Sequence, residues 1–319
     1  MSDLDRADVG RVRGWPRALA LFAVVMSLSA FGVLPLIAIP FLVLVLTLGS
    51  RRLGALALAG VFAFAAFARA GTDGVWWLGR GWGLLAGGGF TAACLAWPRA
   101  PFVHRGLLAL AGAGLGAAAV FAVHPGAWAA VDWMIRESIF RSVAASAEVL
   151  RALQSEGGGL FGEQVLAALY DAAEWQGHVF PALLGLATLA ALGVAWWLYA
   201  RLAHGSSRGL GPLRDFRFSD HLLWFLVLGL AAVVFGGDDP DGWGRAGANA
   251  VWFMGGLYAL RGFAVVMFLS GGVSLLGGVA LVGLMLFLGP ILTAAALILG
   301  VSDTWLDLRG RARATIDST

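Results

Sequence analysis

The chain has few charged residues for its length. Only 13% of its 319 residues are Asp, Glu, Lys or Arg, whereas a soluble domain typically carries about 25%. A soluble fold of this size needs a polar surface that so few charged side chains, gathered in short clusters, do not supply. A soluble globular protein is therefore excluded, and the hydrophobic content of 60% indicates a polytopic membrane protein.

Lysine is absent and cysteine nearly so. All 22 basic residues are Arg, and they gather at the ends of apolar segments rather than in one basic stripe, which argues against nucleic-acid binding. Cys94 has no second cysteine with which to form a disulfide, and its position in an apolar run predicts a small buried residue.

Motifs for catalysis or metal binding are also missing. The five His residues show no zinc-ligand spacing, and without strand alternation no nucleotide-binding or nucleophile motif has its structural context. The turn at residues 238–241 has three Asp but no matching carboxylate cluster for Mg²⁺, so it is interpreted as a solvated turn. We expect no enzyme activity and no cofactor.

Hydropathy divides the chain into apolar runs long enough to be membrane helices, since a bilayer core of about 30 Å requires about 20 apolar residues. The run at 36–48 is short and follows Pro35, so residues 18–48 form either two helices or one broken helix. The last run contains Gly289-Pro290 and is either one kinked helix or two short ones. The fold class predicted is all-α, a transmembrane bundle of about eight to ten segments. The runs are 18–34, 36–48, 53–70, 75–97, 106–123, 180–203, 222–235, 246–269 and 273–300.

Short loops rich in Arg face the cytoplasm, which gives an expected orientation in a bacterial inner membrane. The predicted organisation is a cytoplasmic segment at 1–17, membrane helices at 18–123, an extracytoplasmic hairpin at 124–179, membrane helices at 180–300 and a tail at 301–319. The Arg residues of the tail also favour the cytoplasm, which requires the last run to cross twice or not at all. The sequence leaves this conflict open.

The expected hairpin consists of two amphipathic helices. Apolar residues recur with helical spacing from Trp128, Gly157-Gly158-Gly159 breaks the pattern, and a second amphipathic piece covers 163–175. The hairpin either caps the bundle on its outer face or closes an outward-facing cavity as a lid.

Arg261 is the charged residue that lies deepest in an apolar run, which makes it a candidate functional residue. It either snorkels to the headgroups or engages a ligand, a lipid or a carboxylate from another segment. Asn249, twelve residues earlier, can share its helix face. Together with Tyr258, and with His178 or Glu174 as further members, these residues are the candidates for a polar cavity.

Small residues four apart, such as Gly83 and Gly87 or Gly112 and Gly116, allow helix backbones to approach closely. In a chain with 46 Gly, we interpret these rows as internal helix packing.

Two segments carry a family resemblance. Residues 212–220 read PLRDFRFSD before one span, and residues 300–309 read GVSDTWLDLR after the last one. With the amphipathic hairpin that ends at Pro181, they resemble the YybS-like family of uncharacterised bacterial membrane proteins. The chain has Arg261-Gly262 where that family tends to carry Gln-Gly.

The resemblance implies a fold similar to the substrate-binding membrane subunits of energy-coupling-factor transporters, which depend on a coupling protein and ATPases. Two functions follow as hypotheses: a transport-related protein that binds a small molecule and takes energy from a partner, or a non-transporting scaffold for envelope or division machinery. In a transporter the candidate polar residues should surround one space, whereas in a scaffold they should scatter.

Both motifs lie at predicted inner span ends. We expect Arg217 and Asp220 from the first and Asp303 and Arg309 from the second to lie close together. Exposed ion pairs contribute only ~0–1 kcal/mol each, so we expect this cluster to dock a partner.

Cysteine labelling of whole cells tests the orientation. Ser155→Cys should react with an impermeant reagent from outside, because the hairpin is expected there, whereas Ser206→Cys should react only after permeabilisation. Labelling of Ser206→Cys in intact cells would mean an inverted topology or a miscounted span.

Overall fold

The computed structural model describes residues 81–155, 163–204, 213–236, 242–271 and 275–317. The predicted runs at 18–34, 36–48 and 53–70, the Asp-rich turn at 238–241 and Ser206 lie outside the described residues.

Every regular element in the described ranges is a helix, which confirms the all-α prediction. Short 3-10 helices occupy Leu213–Asp215 and Asp220–Leu222. The α-helices are α1 (Trp82–Ala96), α2 (Phe102–Val123), α3 (Pro125–Ser155), α4 (Glu163–His178), α5 (Phe180–His204), α6 (Leu223–Gly236), α7 (Trp243–Leu269), α8 (Leu275–Leu306) and α9 (Leu308–Asp317).

Four of these helical segments are long and apolar enough to cross a bilayer. They are α2, α5 up to Ala200, α7 and the part of α8 from Leu288 to Leu306. α1 is a shorter apolar helix, as is α6 with the turn before it. The described part of the chain is therefore a polytopic helical bundle, and α2, α5, α6 and α7 match the predicted runs to within four residues.

The last apolar run folds as two helical segments that meet at a kink. Leu288 has non-helical backbone angles (φ −116°, ψ 18°) inside α8, two residues before Pro290, whose ring and missing N–H disrupt the preceding helical turn. Beyond the kink the helix continues past Gly300, where the run was expected to end, to Leu306. Most of the second motif is therefore helical.

The described chain divides into two compact units. Unit 1 includes residues up to Phe180 and 187–209, and unit 2 includes Pro181–Leu186 and residues from Leu210 onward. In unit 1, α1 packs on α2 and α3 packs on α4 as the expected hairpin. Cys94 is buried in an apolar cluster with Phe90 and Leu192, which confirms the prediction for this cysteine.

Unit 2 is built on very close packing of α7 against α8. A Cβ atom on Gly262 would lie 1.7 Å from the carbonyl oxygen of Ala296, and one on Gly300 would lie 1.9 Å from that of Tyr258. Both contacts are shorter than any real Cβ contact, so glycine is required at both positions. Residue 258 of α7 is close to residue 300 of α8, and residue 262 is close to residue 296. The two segments therefore run antiparallel.

The expected packing role of Gly112 is wrong for the described residues. A Cβ there would meet no described atom within 4 Å, because Gly112 lies on an exposed face of α2. The residues of α2 that pack inward include Ala113 and Ala117, since hydropathy alone does not distinguish the packed face of an apolar helix from its lipid face.

Replacing Gly262 with Ala should destabilise unit 2. The added methyl group must displace the α8 backbone, and overpacking of this kind costs about 1–3 kcal/mol. Thermal unfolding of the purified protein in detergent measures the effect. Gly112→Ala is the matched control and should leave the unfolding temperature unchanged or slightly higher, since Ala favours helix by up to ~1 kcal/mol over Gly. Equal unfolding temperatures for Gly262→Ala and the wild type would contradict the close packing.

Candidate functional site

The two sequence motifs meet at the carboxylate of Asp303. Its Oδ2 accepts a hydrogen bond from Arg261 Nε at 3.0 Å and another from Arg309 Nη2 at 2.8 Å. All three side chains are at most 3% exposed. A buried carboxylate thus bridges two buried guanidinium groups from α7 and α9.

Arg261 also pairs with the first motif. Its Nη1 donates to Asp220 Oδ1 at 2.7 Å, and Asp220 is 60% exposed. Of the outcomes expected for Arg261, the structure shows pairing with carboxylates from other segments. Arg261 lies eight residues before the end of α7, about 12 Å at 1.5 Å per residue.

Arg309 fixes the backbone of the first motif. Its Nη1 donates to the carbonyl oxygens of Phe216 at 3.0 Å and Arg214 at 3.2 Å. Arg217 forms a further ion pair with Asp307, and both of these side chains are exposed. All four residues expected to lie together, Arg217, Asp220, Asp303 and Arg309, are therefore in one place.

We define the ion-pair cluster as these four residues with Arg261, Asp307 and the outer pair Asp215 and Arg313, whose charged atoms lie 3.8 Å apart. It contains four Arg and four Asp, so its formal charges cancel. A neutral cluster is not a general anion-binding patch. Its geometry depends on Arg, because the guanidinium fork can donate to two or three acceptors at once.

Aromatic side chains cover one side of the cluster. The Cζ atom of Arg261 lies 5.5 Å from the ring centre of Phe218, and that ring contacts the ring of Tyr258 edge-on at 5.0 Å between centres. The side chains of Tyr258 and Thr304 hydrogen-bond each other, whereas two buried polar atoms of the cluster, Asp303 Oδ1 and Arg309 Nε, have no hydrogen-bond partner among the described residues. The cluster therefore retains unused donors and acceptors.

The chain reverses at Asp307, between α8 and α9. Asp307 has a φ of 40°, a left-handed conformation that Asp tolerates better than most residues. The hydrogen bond from Arg217 is the largest influence on its carboxyl group and lowers its pKa below the usual 3.8. This ion pair is therefore present at neutral pH and is lost as the pH falls through that lowered pKa.

The structure does not bring Asn249 to the cluster. Its Oδ1 accepts a hydrogen bond from the backbone N–H of Ala182, in the first turn of α5, at 2.9 Å. Its Nδ2 donates to the carbonyl oxygen of Arg245. The first-turn N–H groups of a helix lack intrahelical acceptors, so Asn249 acts as a structural cap. The twelve residues between Asn249 and Arg261 correspond to about 18 Å along α7.

The remaining cavity candidates belong to unit 1. His178 stacks on Trp175 with ring centres 5.7 Å apart, and Glu174 lies exposed on the same helix. In the described part of the chain, no group of three or more His, Cys, Asp or Glu has the arrangement of a metal site.

Sequence reasoning missed three contributors to these sites. Phe218 and Asp307 belong to the quoted motifs, but neither was singled out. Arg105 lies just before the predicted run at 106–123 and was not singled out, yet it is buried in unit 1. The sequence feature that could have indicated its burial is Pro101, four residues earlier, which marks the start of the helix that contains Arg105.

Replacing Arg261 with Leu should strongly destabilise unit 2. The change removes one of two cations from a buried carboxylate, and breaking a buried ion pair costs about 3–5 kcal/mol. Removing both partners, in Arg261→Leu with Asp303→Leu, should cost less than the sum of the single changes. Thermal unfolding in detergent measures all three variants. The control is Arg141→Ala, which removes an exposed pair with Glu137 and should cost at most ~0.5 kcal/mol. Unchanged unfolding of Arg261→Leu would contradict a structural ion pair.

Comparison with known proteins agrees with this architecture. No curated protein and no solved structure matches the chain. One family model does match, over residues 18–304, and it is described as "Predicted membrane protein (DUF2232)". The matched range includes the apolar runs, the first motif and the start of the second. The chain therefore belongs to this family of membrane proteins, which fits the YybS-like resemblance of its two motifs.

Proposed function

We propose that this protein is a partner-dependent protein of the bacterial cytoplasmic membrane and that its ion-pair cluster docks a soluble protein. The observation that carries the proposal is the division of the cluster into a buried centre and an exposed rim. Arg261, Asp303 and Arg309 are buried, whereas Arg217, Asp220 and Asp307 are each at least half exposed. The centre holds the rim in a fixed geometry.

The exposed rim contributes little to folding. Exposed ion pairs give only ~0–1 kcal/mol, so pairs such as Arg217 with Asp307 are not required for stability. Alternating Arg and Asp on a fixed backbone offers a partner both donors and acceptors, and complementary charge determines the register and specificity of a protein interface. Arg is also enriched in such interfaces.

The cytoplasmic location of the rim rests on the Arg distribution. Arg309 hydrogen-bonds the backbone at Arg214 and Phe216, so the two Arg-rich segments share one side. Both segments are then assigned to the cytoplasm.

The separation of the polar residues favours the scaffold for envelope or division machinery. Asn249 caps α5, Arg261 pairs with two carboxylates, and the two residues lie far apart along α7. A scaffold needs only the rim, and it requires neither enzyme activity nor a cofactor.

One observation favours the second candidate, a transport-related protein energised by a coupling protein and ATPases. Asp303 Oδ1 and Arg309 Nε are buried polar atoms without partners among the described residues. Buried polar groups normally have partners, so these atoms can hydrogen-bond a small polar molecule. Both candidates use the same docking rim and differ in the partner.

Photo-crosslinking from the rim tests the proposal. A photoreactive amino acid in place of Arg313 should crosslink to a soluble protein in intact cells, because Arg313 is exposed at the outer pair. A coupling ATPase would identify the transport-related function, and an envelope or division protein would identify the scaffold. The control position is Ser142 on α3, which is exposed in unit 1 and should not give the same product.

A charge exchange tests the specificity of the contact. Arg217→Asp with Asp307→Arg keeps an internal ion pair but reverses both charges that a partner meets. Crosslinking should fall at least tenfold while the unfolding temperature stays within a few degrees of the wild type. Equal crosslinking from the exchanged and wild-type proteins, or no protein product at Arg313, would reject the docking function.

A further inference from the structure

Arg105 is a buried cation that the ion-pair cluster does not involve. It is the fourth residue of α2 in unit 1 and is 4% exposed. Its Nε and Nη1 have no hydrogen-bond partner within the described residues. A guanidinium has five N–H donors and remains protonated in proteins. Buried donors of a charged group are normally satisfied, so Arg105 lacks acceptors that its position calls for.

Among the described residues, the groups around Arg105 do not supply a counter-charge. Its Cζ atom lies 4.1 Å from the ring centre of Trp196, its side chain hydrogen-bonds the Cys94 thiol, and its charge acts on that thiol and on the Tyr199 hydroxyl. The face of an indole stabilises a cation, but it is not a carboxylate, and sulfur is a weak acceptor. The described neighbours of Arg105 therefore tolerate its charge but do not neutralise it.

The approach to Arg105 favours an anion. No Asp or Glu occurs between Trp82 and Val131 in the sequence. Among the described residues no side chain caps the N-terminus of α2, and a helix N-terminus attracts negative charge. Because Cα–Cβ bonds point toward the N-terminus of a helix, the Arg105 side chain leaves α2 in that direction.

The level of the site in the bilayer suggests the source of the anion. α2 is a candidate membrane span that begins three residues before Arg105. Trp97, at the preceding helix end, is 54% exposed, and Trp at span ends marks the level of the headgroups. Lipid phosphates are therefore the acidic groups concentrated at this depth.

We propose that Arg105 binds a phosphate group at the membrane interface, supplied by the headgroup of an anionic phospholipid. Phosphate oxygens are strong acceptors for guanidinium N–H groups, and one phosphate supplies both the acceptors and the negative charge that Arg105 lacks. Free inorganic phosphate has the same chemistry, and the experiment separates the two sources. The site lies in unit 1 and does not depend on the docking function proposed for the ion-pair cluster.

Native mass spectrometry of the purified full chain, titrated with phosphatidylglycerol, tests the proposal. The wild type should retain one more phosphatidylglycerol molecule than Arg105→Gln, whose affinity for that lipid should fall at least tenfold. Arg99→Gln is the matched control, because it removes an exposed Arg from the same helix connection. It should bind as the wild type does.

A measurement on the wild type keeps the test valid if Arg105→Gln does not fold. Ligands that bind the folded state raise the unfolding temperature with concentration. Phosphatidylglycerol should raise it by several degrees relative to phosphatidylcholine in the same detergent. A rise with inorganic phosphate alone, against chloride at equal ionic strength, would support the site with free phosphate as its ligand. If neither raises it, or if Arg105→Gln and Arg99→Gln bind phosphatidylglycerol like the wild type, the proposal is overturned.

Discussion

One carboxylate oxygen determines how unit 2 is assembled. Asp303 Oδ2 is shared by Arg261 and Arg309, and without it two buried guanidinium groups would lie close together with no common acceptor. Arg309 in turn holds the backbone of residues 214–216, so four separate segments depend on this single atom. Buried ion pairs add little net stability compared with apolar packing. Asp303 instead specifies which segments meet. The arrangement of these segments in turn determines the geometry of the exposed rim.

Glycine makes this arrangement sterically possible. Arg261 precedes Gly262, and Asp303 follows Gly300 by three residues, so the two charges flank the place where α7 and α8 approach most closely. A side chain at either glycine would separate the backbones and lengthen the hydrogen bond between the charges. The same close contact lets two antiparallel helices pack by van der Waals contact, which is the main attraction between helices in lipid. The steric and electrostatic requirements of unit 2 therefore fall on neighbouring residues.

Sequence reasoning succeeded for features that depend on neighbouring residues and failed for those that depend on partners far away along the chain. The apolar runs predicted α2, α5 and α7 well, because hydropathy accumulates along each helix. The end of α8 at Leu306 was missed since Ser302 and Asp303 lower the local hydropathy, and the partner that allows Asp303 to be buried lies 42 residues earlier. Arg105 was missed for a related reason. Its burial depends on Trp196, which belongs to a helix far along the chain. The proximity of the two motifs was predictable because both lie at span ends.

The residues of the ion-pair cluster are synthesised in a fixed order, which determines when Arg261 can find a counter-ion. Asp220 is made 41 residues before Arg261, and Asp303 is made 42 residues after it. At ribosomal rates of about 5–20 residues per second, the second carboxylate follows Arg261 by roughly 2–8 s. Asp220 is therefore the counter-ion that exists when α7 first reaches the bilayer, and it lowers the cost of inserting a charged helix. The exposed Asp220 is therefore the earlier of the two carboxylate partners of Arg261 to be available while the chain is emerging.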